Sequence, residues 1–435
     1  MHKLLIVLAL IAILIIAKKI KVHVLTPGGM FLLIWCLMVF FATILWTPKY
    51  DWNYKGVYWI LCACVCCEIG MYLGGRYRSA YYKQIGACVN YKIAPNSITL
   101  TKLGWKILAV VVILAFVKFL YSFVENGFRL SDLLHFSEYL ERVSEINSSR
   151  YDDGNGSAYV GQILSVFMYA APMCGGFCYR YSRSWKQMIL CVSSLLPVFL
   201  LAAMTTAKSG LIAVTGLWII GMSFSKLFCY RRDVVMSKST ARKAIAFLLV
   251  LMLILYGFML MRAEAFSLKA MREIKDKFFV YGFGGVSAFD NWFGNYREGG
   301  YGLGKYTFRA IASLITDIDR KSGIYSLLPG YSDSNIFTMF RPLIDDFGVY
   351  GALFVCGIIG YASSRWNNVI KAEINRHYIV VLAYTSLYFY VFWGFIISAW
   401  VYTTYMLIFP AFLAFFVIAT NNTSCRYPIE IKVKR

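Results

Sequence analysis

Ala244-Ile245-Ala246-Phe247-Leu248-Leu249-Val250-Leu251-Met252-Leu253-Ile254-Leu255-Tyr256-Gly257-Phe258-Met259-Leu260-Met261 runs 18 residues without a charge, bounded by Lys243 and Arg262. As an α-helix it would be about 27 Å long, close to the apolar thickness of a bilayer, so it reads as a membrane span. Ten further apolar runs read likewise, at 3–17, 28–46, 56–75, 103–124, 158–179, 188–205, 209–227, 342–362, 379–397 and 399–420. The expected fold class is all-α: a polytopic integral membrane protein with about 11 transmembrane helices and one large external loop.

Composition agrees. Of 435 residues, 59% are hydrophobic and 15% charged, against roughly 25% charged in soluble domains. A soluble enzyme, a disordered chain and a secreted disulfide scaffold are excluded. The net charge of +22 would suit nucleic acid only if it gathered on one soluble face; here it lies in connectors between apolar runs, so no nucleic-acid partner is expected. Sorted by alternate sides, the connectors carry +21 on one side and +1 on the other. Lysine and arginine translocate poorly, which makes the first side, with the tail 421–435, cytoplasmic. The segments 125–157 and 262–341 then face outward. The first run is followed by Lys18, Lys19 and Lys21 rather than a small-residue cleavage site, and reads as a retained helix. Four regions result: a helical bundle over 1–261, the large loop 262–341, three more helices over 342–420, and the basic tail 421–435.

The twelve cysteines sort the same way. Nine fall within the runs and Cys88, Cys229 and Cys425 in connectors assigned to the cytoplasm, with none outside, as expected for a chain facing an oxidising compartment. The Cys62 to Cys67 cluster lies in an apolar helix without a histidine, so it reads as small-residue helix packing and not as a metal site.

Function is expected in the loop 262–341, too long for a mere connector. It opens on Arg262 and holds Arg272, Arg309 and Arg341 among eleven cations, against eight acids. A basic surface beside a bilayer suits an anionic lipid head, since arginine grips phosphate oxygens in a fork; the competing reading is a solvated charged loop. Lys208 stands in Thr205-Thr206-Ala207-Lys208-Ser209-Gly210, between two apolar runs. It reads either as the cation of an anion site at a helix head or as a lysine snorkelling to the interface. At the loop's end, Arg341 and Asp345 are four apart and can pair on a helix, whereas Asp346 points about 100° away and is left free to take a proton from a hydroxyl. Tyr281 and the other loop aromatics can stack on sugar rings or lie along the interface. Asp317 and Asp319 form a D-x-D pair, better read as solvated loop. No histidine lies in the loop.

Taken in order, Leu25-Thr26-Pro27-Gly28-Gly29-Met30-Phe31, the turn Thr206-Ala207-Lys208-Ser209, Tyr281-Gly282-Phe283-Gly284-Gly285, Gly304-Lys305-Tyr306-Thr307-Phe308, and Asn335-Ile336-Phe337-Thr338 followed by Asp346-Phe347-Gly348 resemble the Wzy-type O-antigen and oligosaccharide repeat-unit polymerases. The resemblance implies a multi-spanning inner-membrane glycosyltransferase needing neither metal nor cofactor. Its substrates would be undecaprenyl-diphosphate-linked oligosaccharides, and its partners membrane lipids, a chain-length regulator and a flippase of the same pathway. It also implies roles: Lys208, Arg262, Arg272 and Arg309 on the diphosphate, Asn335, Thr338 and Tyr281 on the glycan, and Asp346, Arg341 and Asp290 in catalysis. O-antigen ligases, a related alternative, typically bring arginine at the position of Lys208 and a loop histidine. A lipid-linked oligosaccharide flippase, the other alternative, would be expected to show repeated halves and broken helices at the bilayer midplane.

Overall fold

The computed structural model describes residues 1–45, 52–86, 100–129, 159–205, 208–230, 238–262, 268–316, 338–372 and 378–420, together with residues 131, 139, 143 and 336. Among them the chain is helical, with a single isolated bridge between Leu100 and Thr420 and no strand. The helices are α1 (His2–Lys19), α2 (Pro27–Phe40, continued by a π turn Phe41–Leu45), α3 (Lys55–Gly86), α4 (Lys102–Glu125), α5 (Tyr159–Tyr179), α6 (Trp185–Ser193), α7 (Leu196–Thr205), α8 (Lys208–Tyr230), α9 (Lys238–Arg262), α10 (Leu268–Gly294), α11 (Arg309–Ile315), α12 (Phe340–Ala372), α13 (Tyr378–Trp393) and α14 (Thr403–Ala419).

Over its described residues, each apolar run of the sequence lies largely on one of these helices or on a consecutive pair. Among the described residues seven stretches are long and apolar enough to cross a membrane: Pro27–Ile44, Lys55–Arg76, Lys102–Glu125, Val160–Tyr179, Trp185–Thr205, Lys208–Phe228 and Phe340–Lys371. Ile245–Leu260, Tyr378–Trp393 and Thr403–Ala419 are apolar but shorter. The chain is thus a membrane-embedded helical protein, with seven such stretches where the sequence led us to expect about 11. The segment 262–341, expected as a loop, contains the 27-residue helix α10 and the short α11.

Two helices form the spine. On α3, Gly70 and Gly74 lie four apart, and a methyl group on either would strike the α12 backbone, at the Gly357 and Tyr361 carbonyls respectively. Gly360 of α12 sits equally close to the Cys67 carbonyl. Small residues at this spacing let two backbones approach where no hydrophobic force separates protein from lipid. Cys64, Cys67 and Cys356 are buried in the same region.

Phe340, fully buried, joins four helices at one end of the bundle. Its ring lies 4.2 Å from Trp35 of α2, 5.1 Å from Trp59 of α3 and 5.7 Å from Phe289 of α10. A second aromatic core, at Phe177, Phe224, Phe412 and Phe416, ties α5, α8 and α14.

Helix α12 breaks at Gly348, where φ is 73° and ψ 174°. Only glycine adopts that conformation readily, and a side chain there would also meet the Tyr301 ring. The break leaves carbonyls of the first segment without helical partners. Residues 301–308 take them: the Gly302 N–H donates to the Asp345 carbonyl at 3.0 Å and the Leu303 N–H to the Asp346 carbonyl at 3.1 Å.

Candidate functional site at one end of the bundle

Helix α10 runs along the bundle end where α3 and α12 begin and α8 has its head. Tyr281 and Trp292 are eleven residues apart on it, close to three full turns, so they share a face at a separation of about 16 Å. Each ring carries a cation. Lys208, at the head of α8, places Nζ 4.4 Å from the Tyr281 ring centre, and Arg341, in the first turn of α12, places its guanidinium carbon 5.2 Å from that of Trp292. Contacts of this kind hold a cation over a ring face by its attraction to the ring quadrupole.

Around Arg341 the groups are polar and aromatic. Asp345 lies one turn further on and interacts electrostatically with it. Tyr296, 4.9 Å ring to ring from Trp292, feels burial first, then Asp345, Glu298 and Tyr301, and all four push its hydroxyl above the usual phenol range. Arg341 and Asp345 are half-buried.

The sequence expectation pairs Asp345 with Arg341 and leaves Asp346 free; the first half holds, as Asp345 interacts with Arg341, and the second does not. Asp346 is the enclosed one: it has no exposed surface and accepts the Tyr306 N–H at 3.0 Å and the Thr307 N–H at 2.6 Å. The segment it holds continues into Ser398, whose hydroxyl donates to the Thr307 carbonyl at 2.9 Å, and into a stack of Phe308, Trp400 and Tyr390. Asp346 thus clamps 301–308 onto the broken helix, and the carboxylate left partly exposed is Asp345. Helical spacing gave the angle between them but not the chain that lies over one of them.

Asp290 has a comparable duty. It is fully buried and caps α3 from a distance: Oδ2 accepts the Asn53 and Tyr54 N–H groups at 3.1 Å each, and Oδ1 those of Gly56 at 2.9 Å and Val57 at 3.3 Å. Burial pushes its carboxyl above the usual range, while the four N–H donors pull it back. Gly56 is small of necessity, because a side chain there would meet the Asp290 backbone.

Thr338 is buried with φ 61°; its N–H donates to the Ile396 carbonyl at 3.0 Å and its hydroxyl accepts the Phe340 N–H at 3.4 Å. It therefore opens α12 and presents no surface to a glycan. Arg309, half-buried, begins α11 directly after the clamped segment. Arg262 ends α9 and Arg272 lies on α10, but their side chains are outside the described residues, as is Asn335. Of the predicted site residues, then, Lys208 meets Tyr281 and Arg341 adjoins the carboxylate pair, while Asp290 stands apart at the head of α3. Comparison with protein-family models, curated proteins and solved structures found no match to this chain.

In the sequence Lys118 stands, like Glu68 and Lys106, inside or near the end of an apolar run without an obvious partner. It is buried at 6% exposure on α4, and with Ser122, Asn126, Ser165, Ser209 and Gly210 it lines a cavity of about 260 Å³ at the head of α8, beside Lys208. Its ammonium lies 3.9 Å from Glu125 and 5.0 Å from the Tyr121 ring centre. The spacing 118, 122, 126 is that of one helix face, which was the available signal. Among the described residues no three histidine, cysteine or acidic side chains gather as a metal site would require.

Proposed function

We propose that this chain polymerises lipid-linked oligosaccharide repeat units, transferring a growing glycan from a polyprenyl diphosphate such as undecaprenyl diphosphate to a sugar hydroxyl of the next lipid-linked unit. The observation that carries the reading is the pair of ring-backed cations, Lys208 and Arg341, on one face of α10, with Asp345 beside the second. A reaction with two diphosphate-bearing lipids needs two cationic centres at one membrane edge, and one of them needs a carboxylate.

Asp345 takes the proton of the acceptor hydroxyl as the new bond forms to the anomeric carbon. The bond from that carbon to the diphosphate oxygen breaks, and the lipid diphosphate leaves with its charge held by Arg341 and Arg309. Lys208, with Lys118 behind it, holds the diphosphate of the second lipid. Asp346 is a positioning residue that fixes the segment 301–308 against the reacting pair. The protein lies in a bacterial inner membrane, this end facing the periplasm and the basic tail the cytoplasm.

Lys208→Ala and Lys118→Met are each expected to leave the protein in the membrane while shortening surface polysaccharide to single repeat units. Gel profiles of extracted polysaccharide, with immunoblots of membrane fractions, check this; normal long chains from both variants at normal protein level would refute the assignment of the second-lipid site.

A further inference from the structure

The opposite end of the bundle holds a larger cavity, of about 590 Å³, between the α1–α2 connection, α3 and α12. That volume is within the usual range for a small-molecule site. Lys19, Lys21, His23, Arg76 and Lys371 all line it, and among the described residues that do so there is no aspartate or glutamate. Glu68, a turn deeper on α3, is buried and is not part of the lining. The floor is polar and enclosed, with Lys371 7% and Asn367 6% exposed, whereas Lys19, Lys21 and Arg76 stand exposed at the mouth.

Lys21 supplies an independent observation. Helix α1 ends with the Val22 N–H donating to the Ala17 carbonyl at 2.9 Å and with Lys21 at φ 57°. This is the left-handed helix end at which glycine is the favoured residue and a lysine is strained. A strained residue that also brings a cation to the rim of a cavity points to use of that charge. The head of α2 does not provide the charge instead, because the Gly28 N–H is taken by the Ser363 hydroxyl at 2.7 Å and the Gly29 N–H by that of Thr26 at 3.2 Å.

We infer that this cavity is a binding site for a phosphoryl anion, held by Lys371 at its floor and by Lys21 and Arg76 at its mouth. The ligand is the headgroup of an anionic membrane lipid or a free phosphate compound; basic pockets between helices at a membrane edge suit the first. The inference does not depend on the polymerase reading, since the site lies at the other end of the helices.

The test uses the purified full chain in nanodiscs. In one arm, discs of phosphatidylcholine with and without phosphatidylglycerol are followed by delipidation and native mass spectrometry. In the other, inorganic phosphate or pyrophosphate is titrated against thermal unfolding in phosphatidylcholine discs. The wild type is expected to retain phosphatidylglycerol, or to be stabilised by the free anion, and Lys21→Gly and Arg76→Gln/Lys371→Gln are each expected to weaken that binding about tenfold or more. Lys21→Gly discriminates, because relief of strain makes that variant fold at least as well as the wild type. Retention in the first arm identifies the lipid and stabilisation in the second the free anion. Equal binding by wild type and both variants, or none by the wild type in either arm, overturns the inference.

Discussion

Asp290→Ala is expected to destabilise the folded chain by about 3–5 kcal/mol. The carboxylate accepts four backbone N–H groups at the head of α3, and those donors have no other partner within the helix once it is removed. A solvent-exposed cap is worth about 1 kcal/mol, but water cannot replace an acceptor that has no exposed surface. Asp290→Asn keeps one carbonyl oxygen and is expected to fall between wild type and alanine. Thermal unfolding in detergent, followed by near-ultraviolet circular dichroism, gives the order; three equal transition temperatures would contradict the capping role. The position also matters for the site. Asp290 locks α10 to α3, and two residues further along the same helix Trp292 carries Arg341.

The second large effect concerns turnover. On the proposed polymerase reaction, Asp345→Asn is expected to slow chain elongation by about 10²- to 10⁴-fold with the KM for lipid-linked unit little changed, since the amide keeps the shape and loses the proposed base. Arg341→Lys keeps the charge but gives up the planar fork and its stacking on Trp292, and is expected to cost about 10²-fold. Initial rates with purified protein separate these from Asp346→Asn. There one of the two backbone N–H groups from Tyr306 and Thr307 loses its carboxylate acceptor, so a lowered transition temperature accompanies any loss of rate. An Asp345→Asn enzyme running at the wild-type rate would remove Asp345 from the chemistry.

The membrane character was legible because apolar length is a local property: each run such as 244–261 declares itself without reference to the rest of the chain. Helix α10 was not legible as a helix. Lys269, Arg272, Glu273, Lys275, Asp276 and Lys277 crowd its first turns and disqualify it as a span, while its later turns are apolar on the face that meets α3. The cations at Lys208 and Arg341 could be picked out as candidates because a charge at the end of an apolar run is conspicuous. Their aromatic supports could not, since Tyr281 and Trp292 reach them across 73 and 49 positions of sequence.

The carboxylates show the limit most plainly. Helical spacing separates Asp345 from Asp346 by direction, yet which of them is enclosed depends on a segment about forty residues upstream folding back over the break at Gly348. Asp290 is further still from its partners, which lie more than 230 positions away. Non-local acceptors of this kind leave no periodic trace.

The most direct measurement is made on the wild-type chain alone, reconstituted in nanodiscs with a single synthetic repeat unit on undecaprenyl diphosphate and no nucleotide sugar. The expected product is a ladder of lipid-linked glycans, each one repeat unit longer than the last, with release of one undecaprenyl diphosphate per step. Units that remain single, while the same protein in sealed vesicles moves them across the bilayer, would contradict it.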